Sequence, residues 1–139
     1  IILCLFDSIN HLLEFKQWKQ VFKKTSQHLS KNGVFIFDIN TLQAIENLNG
    51  TSKRKEFNNN YMTLKINKTD TRSMIWDIKL FEHLKNDKYQ LHDENIKETS
   101  FPVEQIKTSL QQFFDNIEII NPNEDTAIKK SSRLYFVSE

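Results

Sequence analysis

Acidic side chains follow two short apolar runs near the start of the chain. Asp7 comes directly after the run 1–6, and Asp38 comes directly after the run 34–37. His11 lies a few residues beyond Asp7. Carboxylates and imidazoles are the groups that most often take up or release a proton in an enzyme. If the two runs are parallel strands of an open sheet, their carboxyl ends border one crevice, and we predict Asp7, His11 and Asp38 as catalytic residues there.

The same residues also have structural explanations, which the sequence leaves open. Asp7 and Ser8 are residue types that cap the start of a helix, and Asp38 is equally suited to cap a short helix after the second run. His11 can serve as a hydrogen-bonding residue in a loop or at the start of a helix. Cys4, in the first apolar run, is typical of a small buried side chain.

Composition and charge exclude several classes of protein. The chain has 139 residues, which favours one domain, and its 38% hydrophobic content is enough for a core. The 19 basic and 18 acidic side chains give a net charge of +1, without the strong basic excess of nucleic-acid binders. No apolar run approaches the ~18 residues of a membrane helix, and one Cys with four dispersed His residues makes no metal site. We predict a cytoplasmic protein that binds neither nucleic acid, membrane nor metal.

The first region of the chain, 1–52, has the pattern strand–helix–strand. Apolar residues recur at three- and four-residue steps between about 13 and 31, which predicts an amphipathic helix that ends at Gly33. The apolar runs on either side are short and unbroken, as in strands buried on both faces of a sheet. Because a helix joins them, the two strands should be parallel. Thr41 is predicted to cap a short helix that ends near Gly50.

The middle region, 53–100, has a different pattern. It is polar, carries no helical stripe and alternates in part around Trp76, which predicts three or four antiparallel strands with one exposed face. Since it separates two α/β regions, we interpret it as an insertion that covers the crevice. The last region, 101–139, predicts a helix, then a strand, a loop over 121–125 and a second strand antiparallel to the first.

Three sequence motifs give these elements a family resemblance. LCLFDSINHL occupies 3–12, LSKNGVFIFDINT occupies 29–41, and SRLYFV occupies 132–137. In this order and spacing they resemble the C-terminal portion of class I S-adenosylmethionine-dependent methyltransferases, in particular the small bacterial members. That family has a Rossmann-like sheet of parallel strands with one antiparallel strand near an edge. The resemblance therefore implies an α/β fold, namely the C-terminal half of that sheet with an antiparallel β insertion.

The resemblance also implies a cofactor, a reaction and a set of binding residues. The cofactor is S-adenosylmethionine, and the methyl group passes to a small-molecule acceptor. The residues that the resemblance places beside the cofactor are Cys4, Leu5, Phe6 and Asp7. The residues expected to bind the acceptor are Asn10, Asn40, Tyr61 and Trp76. For Trp76 the alternative is a packing role in the sheet, and Tyr61 is a further candidate base.

Two parts of the family's site, the glycine-rich loop and the acidic residue that hold the nucleotide, are missing from this sequence. Both would lie before Ile1, so we expect the chain to be a C-terminal portion that is inactive by itself. A sheet that starts at the first apolar run leaves an apolar edge open, where we expect a homodimer or an exchanged strand. The alternative function is a non-catalytic module of the same fold that binds a ligand or another protein. A glycine-rich loop encoded upstream of Ile1 would favour the enzyme.

Overall fold

In the computed structural model of this protein, which describes residues 1–123 and 127–139, the chain forms two four-stranded sheets and three α-helices. In chain order the elements are β1 (Ile2–Cys4), α1 (Phe15–His28), β2 (Phe35–Asn40), α2 (Leu42–Leu48), β3 (Thr51–Phe57), β4 (Asn60–Asp70), β5 (Ser73–His83), β6 (Tyr89–Thr99), α3 (Val103–Leu110), β7 (Ile117–Ile120) and β8 (Arg133–Ser138). Short 3-10 turns lie at Ser8–His11, Lys85–Asp87 and Ile128–Lys130. None of the helices described is long and apolar enough to cross a membrane.

The first sheet has the strand order β1-β2-β8-β7. β1 runs parallel to β2, with Ile2 opposite Phe35, as expected when a helix connects two neighbouring strands. β8 lies between β2 and β7 and is antiparallel to both. The predicted parallel pair and the predicted antiparallel pair at the end of the chain are therefore confirmed. The predicted loop 121–125 lies partly outside the described residues, which omit 124–126.

β2 is longer than the sequence pattern indicated. It runs to Asn40 and includes Asp38, because β8 pairs with it along its whole length and places Arg133 opposite Asn40. The alternative in which Asp38 caps the next helix is therefore wrong. The cap is Thr41, as predicted, since its side chain accepts a hydrogen bond from the backbone N–H of Ala44 at 3.2 Å.

β1 packs against the core on one face only. Ile2 and Cys4 contact the core, whereas Leu3 is 58% exposed. In this chain β1 is covered on one face only, because the core lies on the face that carries Ile2 and Cys4 and leaves the face that carries Leu3 open. Burial of β1 on both faces stays a prediction for the full-length protein. Ile1 and Phe6, at the two ends of the same apolar run, are exposed as well.

Aromatic stacking holds the core of the first sheet together. The Phe37 ring of β2 stacks on Phe136 of β8 with centroids 4.8 Å apart, and on Phe35 at 5.0 Å. Trp18 and Phe22 of α1 pack into the same core and are fully buried. These contacts fix β2 and β8 side by side, and so fix the positions of the polar residues at their ends.

The second sheet is an antiparallel meander of β3, β4, β5 and β6, inserted between α2 and α3. Its inner face packs on α2 through a small apolar core of Ile45, Ile66 and Met74. Met74 lies opposite Glu98 of β6, and residues opposite each other in a sheet share a face. The inner face therefore carries Glu98 toward the end of β2.

Candidate functional site

A strained turn follows β1. Phe6 and Asp7 have φ angles of 57° and 51°, in the left-handed region that costs a non-glycine residue roughly 1–2 kcal/mol. The Asp7 N–H donates to Asp38 Oδ2 at 3.2 Å, and the Ser8 hydroxyl donates to the Leu5 carbonyl at 2.5 Å. Asp7 precedes the 3-10 turn, but its side chain makes no capping bond there. The turn instead directs the Asp7 carboxylate toward the end of β2.

Arg133 joins two of the predicted acidic residues. Its Nη2 donates to Asp7 Oδ1 at 2.5 Å, and its Nη1 lies 3.0 Å from Asp38 Oδ2. The register of β8 against β2 brings the guanidinium to this position. Asp38 is fully buried, whereas the Asp7 side chain is 17% exposed and that of Arg133 is 33% exposed. Of the two carboxylates, Asp7 is thus the one that a ligand can reach.

The Asn40 side chain lies between two carboxylates. Its Nδ2 donates to Asp7 Oδ2 at 3.1 Å and to Glu98 Oε2 at 3.0 Å. Its Oδ1 accepts from Arg133 Nη2 at 3.4 Å. Both amide hydrogens and the amide oxygen are therefore used, and the surrounding charges set the orientation of the amide group.

Asn10 ties three elements together through the backbone. Its Nδ2 donates to the carbonyl of Asn40 at 2.9 Å and to that of Thr99 at 2.8 Å, while its Oδ1 accepts from the Asn40 N–H at 3.1 Å. The side chain is buried, so these bonds replace its contacts with water. We call the connected set of side chains the polar cluster; its members are Asp7, Asn10, Asp38, Asn40, Glu98 and Arg133.

The polar cluster combines three carboxylates with one guanidinium. Burial raises the pKa of Glu98, the hydrogen bond from Asn40 lowers it, and the charge of Asp7 raises it again, so that the net direction is upward. Burial lowers the pKa of Arg133, but Asp38 and Asp7 outweigh this and hold the pKa above its ordinary value. Arg133 therefore stays charged, and the folded protein favours the protonated form of Glu98.

The structure brings four of the predicted site residues into the polar cluster, namely Asp7, Asn10, Asp38 and Asn40. His11 is exposed beside it, and its charge acts on Glu98. Of the predicted cofactor residues, Cys4 ends β1, and Leu5 and Phe6 lead from it to Asp7 in the strained turn. Burial raises the pKa of the Cys4 thiol, with a further contribution from Asp38.

Tyr61 and Trp76 lie on the second sheet, on opposite faces. Trp76 shares the inner face with Met74 and packs against the small apolar core on α2. Tyr61 lies on the outer face, where its ring is 5.7 Å from that of Tyr89 and lines a cavity of about 350 Å³ with Phe81 and neighbouring residues. Neither takes part in the hydrogen bonds of the polar cluster, and their roles in binding the acceptor stay predictions.

Sequence reasoning missed Glu98 and Arg133. Arg133 opens the terminal strand and its position became clear only from the register of β8 against β2. Glu98 lies in a polar stretch with other charged residues, and nothing in the local sequence distinguishes it from its exposed neighbours. Within 1–123 and 127–139, no three His, Cys, Asp or Glu residues are grouped so that they could hold a metal ion.

Comparison with known proteins gives one sequence relative and several structural ones. No family model matches the sequence. A curated protein of Geobacillus sp. (strain WCH70) with the name "Putative methyltransferase" is 25% identical over 139 residues, which covers 96% of this chain and 56% of that protein. The crystal structure of an S-adenosylmethionine-dependent methyltransferase from Clostridium acetobutylicum matches with a TM-score of 0.81 and 24% identity, over 99% of this chain and 56% of that one. The sugar N-methyltransferase KedS8 from Streptoalloteichus sp. matches with a TM-score of 0.71 and 14% identity, over 99% and 55%.

These likenesses extend over almost the whole chain, which spans only about half the length of the proteins it matches. The parallel β1–β2 pair, the antiparallel β8 and the inserted second sheet agree with the fold that the three sequence motifs implied. The resemblance stated from the sequence is thereby confirmed. The chain has the α/β fold of the C-terminal part of a class I S-adenosylmethionine-dependent methyltransferase.

Proposed function

We propose that this chain is the C-terminal portion of an enzyme that transfers a methyl group from S-adenosylmethionine to a small molecule. The observation that carries the proposal is the polar cluster at the carboxyl ends of β1 and β2, where open α/β sheets bind their ligands. Glu98 connects this position to the second sheet, which is then suited to cover an acceptor. The fold shared with methyltransferases supports the same proposal.

The residues present fit one wall of a cofactor site. Phe6 is 82% exposed at the end of the apolar run, and an apolar side chain there is suited to cover a bound ligand. Cys4, Leu5 and Phe6 would flank the methionine part of S-adenosylmethionine, which supplies an electrophilic methyl group on a sulfonium when it is bound. The excess of carboxylates in the polar cluster favours a cationic group nearby.

Methyl transfer is an in-line displacement with a neutral leaving group, so the protein chiefly aligns the reactants and excludes water. We assign to Asp7 the removal of a proton from the methyl acceptor, because Asp7 is the partly exposed carboxylate of the polar cluster. Asp38 is fully buried and bonded to Arg133 and to the Asp7 N–H, and so positions the turn. His11 lies exposed next to them and is a second candidate for the proton.

The proposed cofactor binding is tested with the full-length product of the gene. Titration calorimetry with S-adenosylhomocysteine should show saturable binding. Asp7→Asn should weaken the binding of S-adenosylmethionine, because its sulfonium would lose one negative charge nearby. Glu118→Gln, an exposed residue on β7 at the other edge of the sheet, is the matched control and should bind as the unchanged protein does. If the full-length protein shows neither heat of binding nor a ligand-dependent shift of its unfolding temperature, the proposal is contradicted.

We further propose that a preceding segment of the full-length protein covers the open edge of β1. The exposed Ile1 and Leu3 make this edge apolar, and an uncovered apolar edge tends to pair with another chain. The isolated chain should therefore associate in light scattering, whereas Leu3→Lys should reduce the association. Ile120→Lys, on the other edge strand, is the control and should change it less. A strictly monomeric isolated chain at high concentration would show that this edge needs no cover.

A further inference from the structure

Glu98 carries a carboxylate from the second sheet into the polar cluster. It lies near the end of β6, is only 3% exposed and accepts a hydrogen bond from Asn40 Nδ2 at 3.0 Å. Its cross-strand neighbour on β5 is the buried, uncharged Met74. A buried carboxylate in such a position needs a polar partner, and Asn40 provides it.

The Asn40 amide group connects Glu98 to Asp7 through hydrogen bonds. One amide nitrogen donates to both carboxylates, and the amide oxygen faces the guanidinium of Arg133. Rotation of the amide by half a turn would place its oxygen against two carboxylates and its hydrogens against a cation, which Coulomb repulsion disfavours. Loss of the Glu98 acceptor removes one of the three contacts that hold this orientation.

We propose that Glu98 is a positioning residue for Asp7, which it holds in place through the Asn40 amide. The inference rests on the proposed function in one respect, namely that Asp7 takes a proton from the methyl acceptor. The bond network itself is a property of this chain.

The sign of the pH dependence follows from the groups that face Glu98. Asp7 comes from the turn after β1, His11 from the 3-10 turn, and Asp38 and Arg133 from β2 and β8. Folding raises the pKa of Glu98 above its ordinary value of 4.5, with burial as the largest cause. The protonated carboxyl is therefore favoured in the folded state, so its contribution to stability is complete below the unfolded pKa and is lost as the pH rises through the folded pKa.

The first experiment compares thermal unfolding of Glu98→Gln with that of the unchanged protein from pH 4 to pH 8. Glutamine keeps both hydrogen-bonding capacities of a protonated carboxyl but cannot ionise. The midpoint of Glu98→Gln should equal that of the unchanged protein at pH 4 and exceed it by about 2–4 °C at pH 7. Glu94→Gln, an exposed residue on the same strand, should show no such growing difference. A constant difference between Glu98→Gln and the unchanged protein across this range would contradict the buried position of Glu98 beside Asn40, from which its positioning role is argued.

The second experiment follows the Asn40 side-chain amide by NMR. Glu98→Leu should move both Asn40 amide proton signals upfield and weaken their protection from exchange, while Glu98→Gln should restore them. Unchanged Asn40 signals in Glu98→Leu would overturn the positioning role. Both readouts are made without cofactor, so a failure of S-adenosylhomocysteine to bind the full-length protein would count against the proposed function and leave this inference standing.

Discussion

Phe37→Ala is expected to lower the free energy of unfolding by about 3–5 kcal/mol, the loss typical of a large aromatic side chain removed from a close-packed core. Phe37 is fully buried and stacks on Phe136 with an interplanar angle of 7°. It also contacts the rings of Phe35 and Phe22, at 5.0 and 5.6 Å. Because its neighbours are themselves held by the sheet and by α1, they can close only part of the cavity. Urea denaturation measures the effect.

Phe57→Ala provides the matched control for this core substitution. Phe57 is 37% exposed on β3 at the edge of the second sheet, and its loss should cost less than about 1 kcal/mol. Equal losses for the two variants would contradict the packing of β2 against β8 and α1, and with it the placement of the polar cluster at the end of β2.

Arg133→Met is the second substitution with a large expected effect. It leaves Asp38 buried and Asp7 half-buried without the guanidinium that neutralises them. Removal of one partner from a fully buried ion pair costs about 3–5 kcal/mol, and solvent screening at the partly exposed Arg133 reduces the expected loss here to about 2–4 kcal/mol. Thermal and urea unfolding at neutral pH measure this loss.

A double substitution separates the charge effect from lost packing. Asp38→Asn combined with Arg133→Met removes a buried charge together with its partner, so the pair should cost less than the sum of the two single variants. Arg54→Met, at an exposed position on the outer face of the second sheet, should change stability by less than about 0.5 kcal/mol. Additive effects of the Asp38 and Arg133 substitutions would show that the two side chains do not interact as the structure has them.

The periodicity of the sequence was enough to predict the local elements of the first sheet. The unbroken apolar runs predicted β1 and β2, the helical stripe predicted α1, and Thr41 was recognised as the cap of α2. These features depend on residues close together in sequence, where spacing and capping chemistry act directly. The parallel pairing of β1 and β2 followed because a helix must connect them.

The polar cluster could be predicted only in part, since it depends on contacts between distant segments. Asp7 and Asp38 were found because each follows or interrupts an apolar run, but Arg133 lies 126 positions after Asp7 and meets it only through the register of β8. That same pairing extends β2 to Asn40, which local patterning could not show. Glu98 reaches the cluster through the docking of a whole sheet on α2, and no local pattern encodes that docking.

The most direct test of the central claim is a crystal structure of the full-length product of the gene with S-adenosylhomocysteine bound. The sulfur atom should lie beside residues 4–7, with the Asp7–Arg133 pair intact and a further strand paired with the outer edge of β1. A ligand bound away from that turn, or a β1 that remains at the edge of the sheet in the full-length protein, would contradict the central claim.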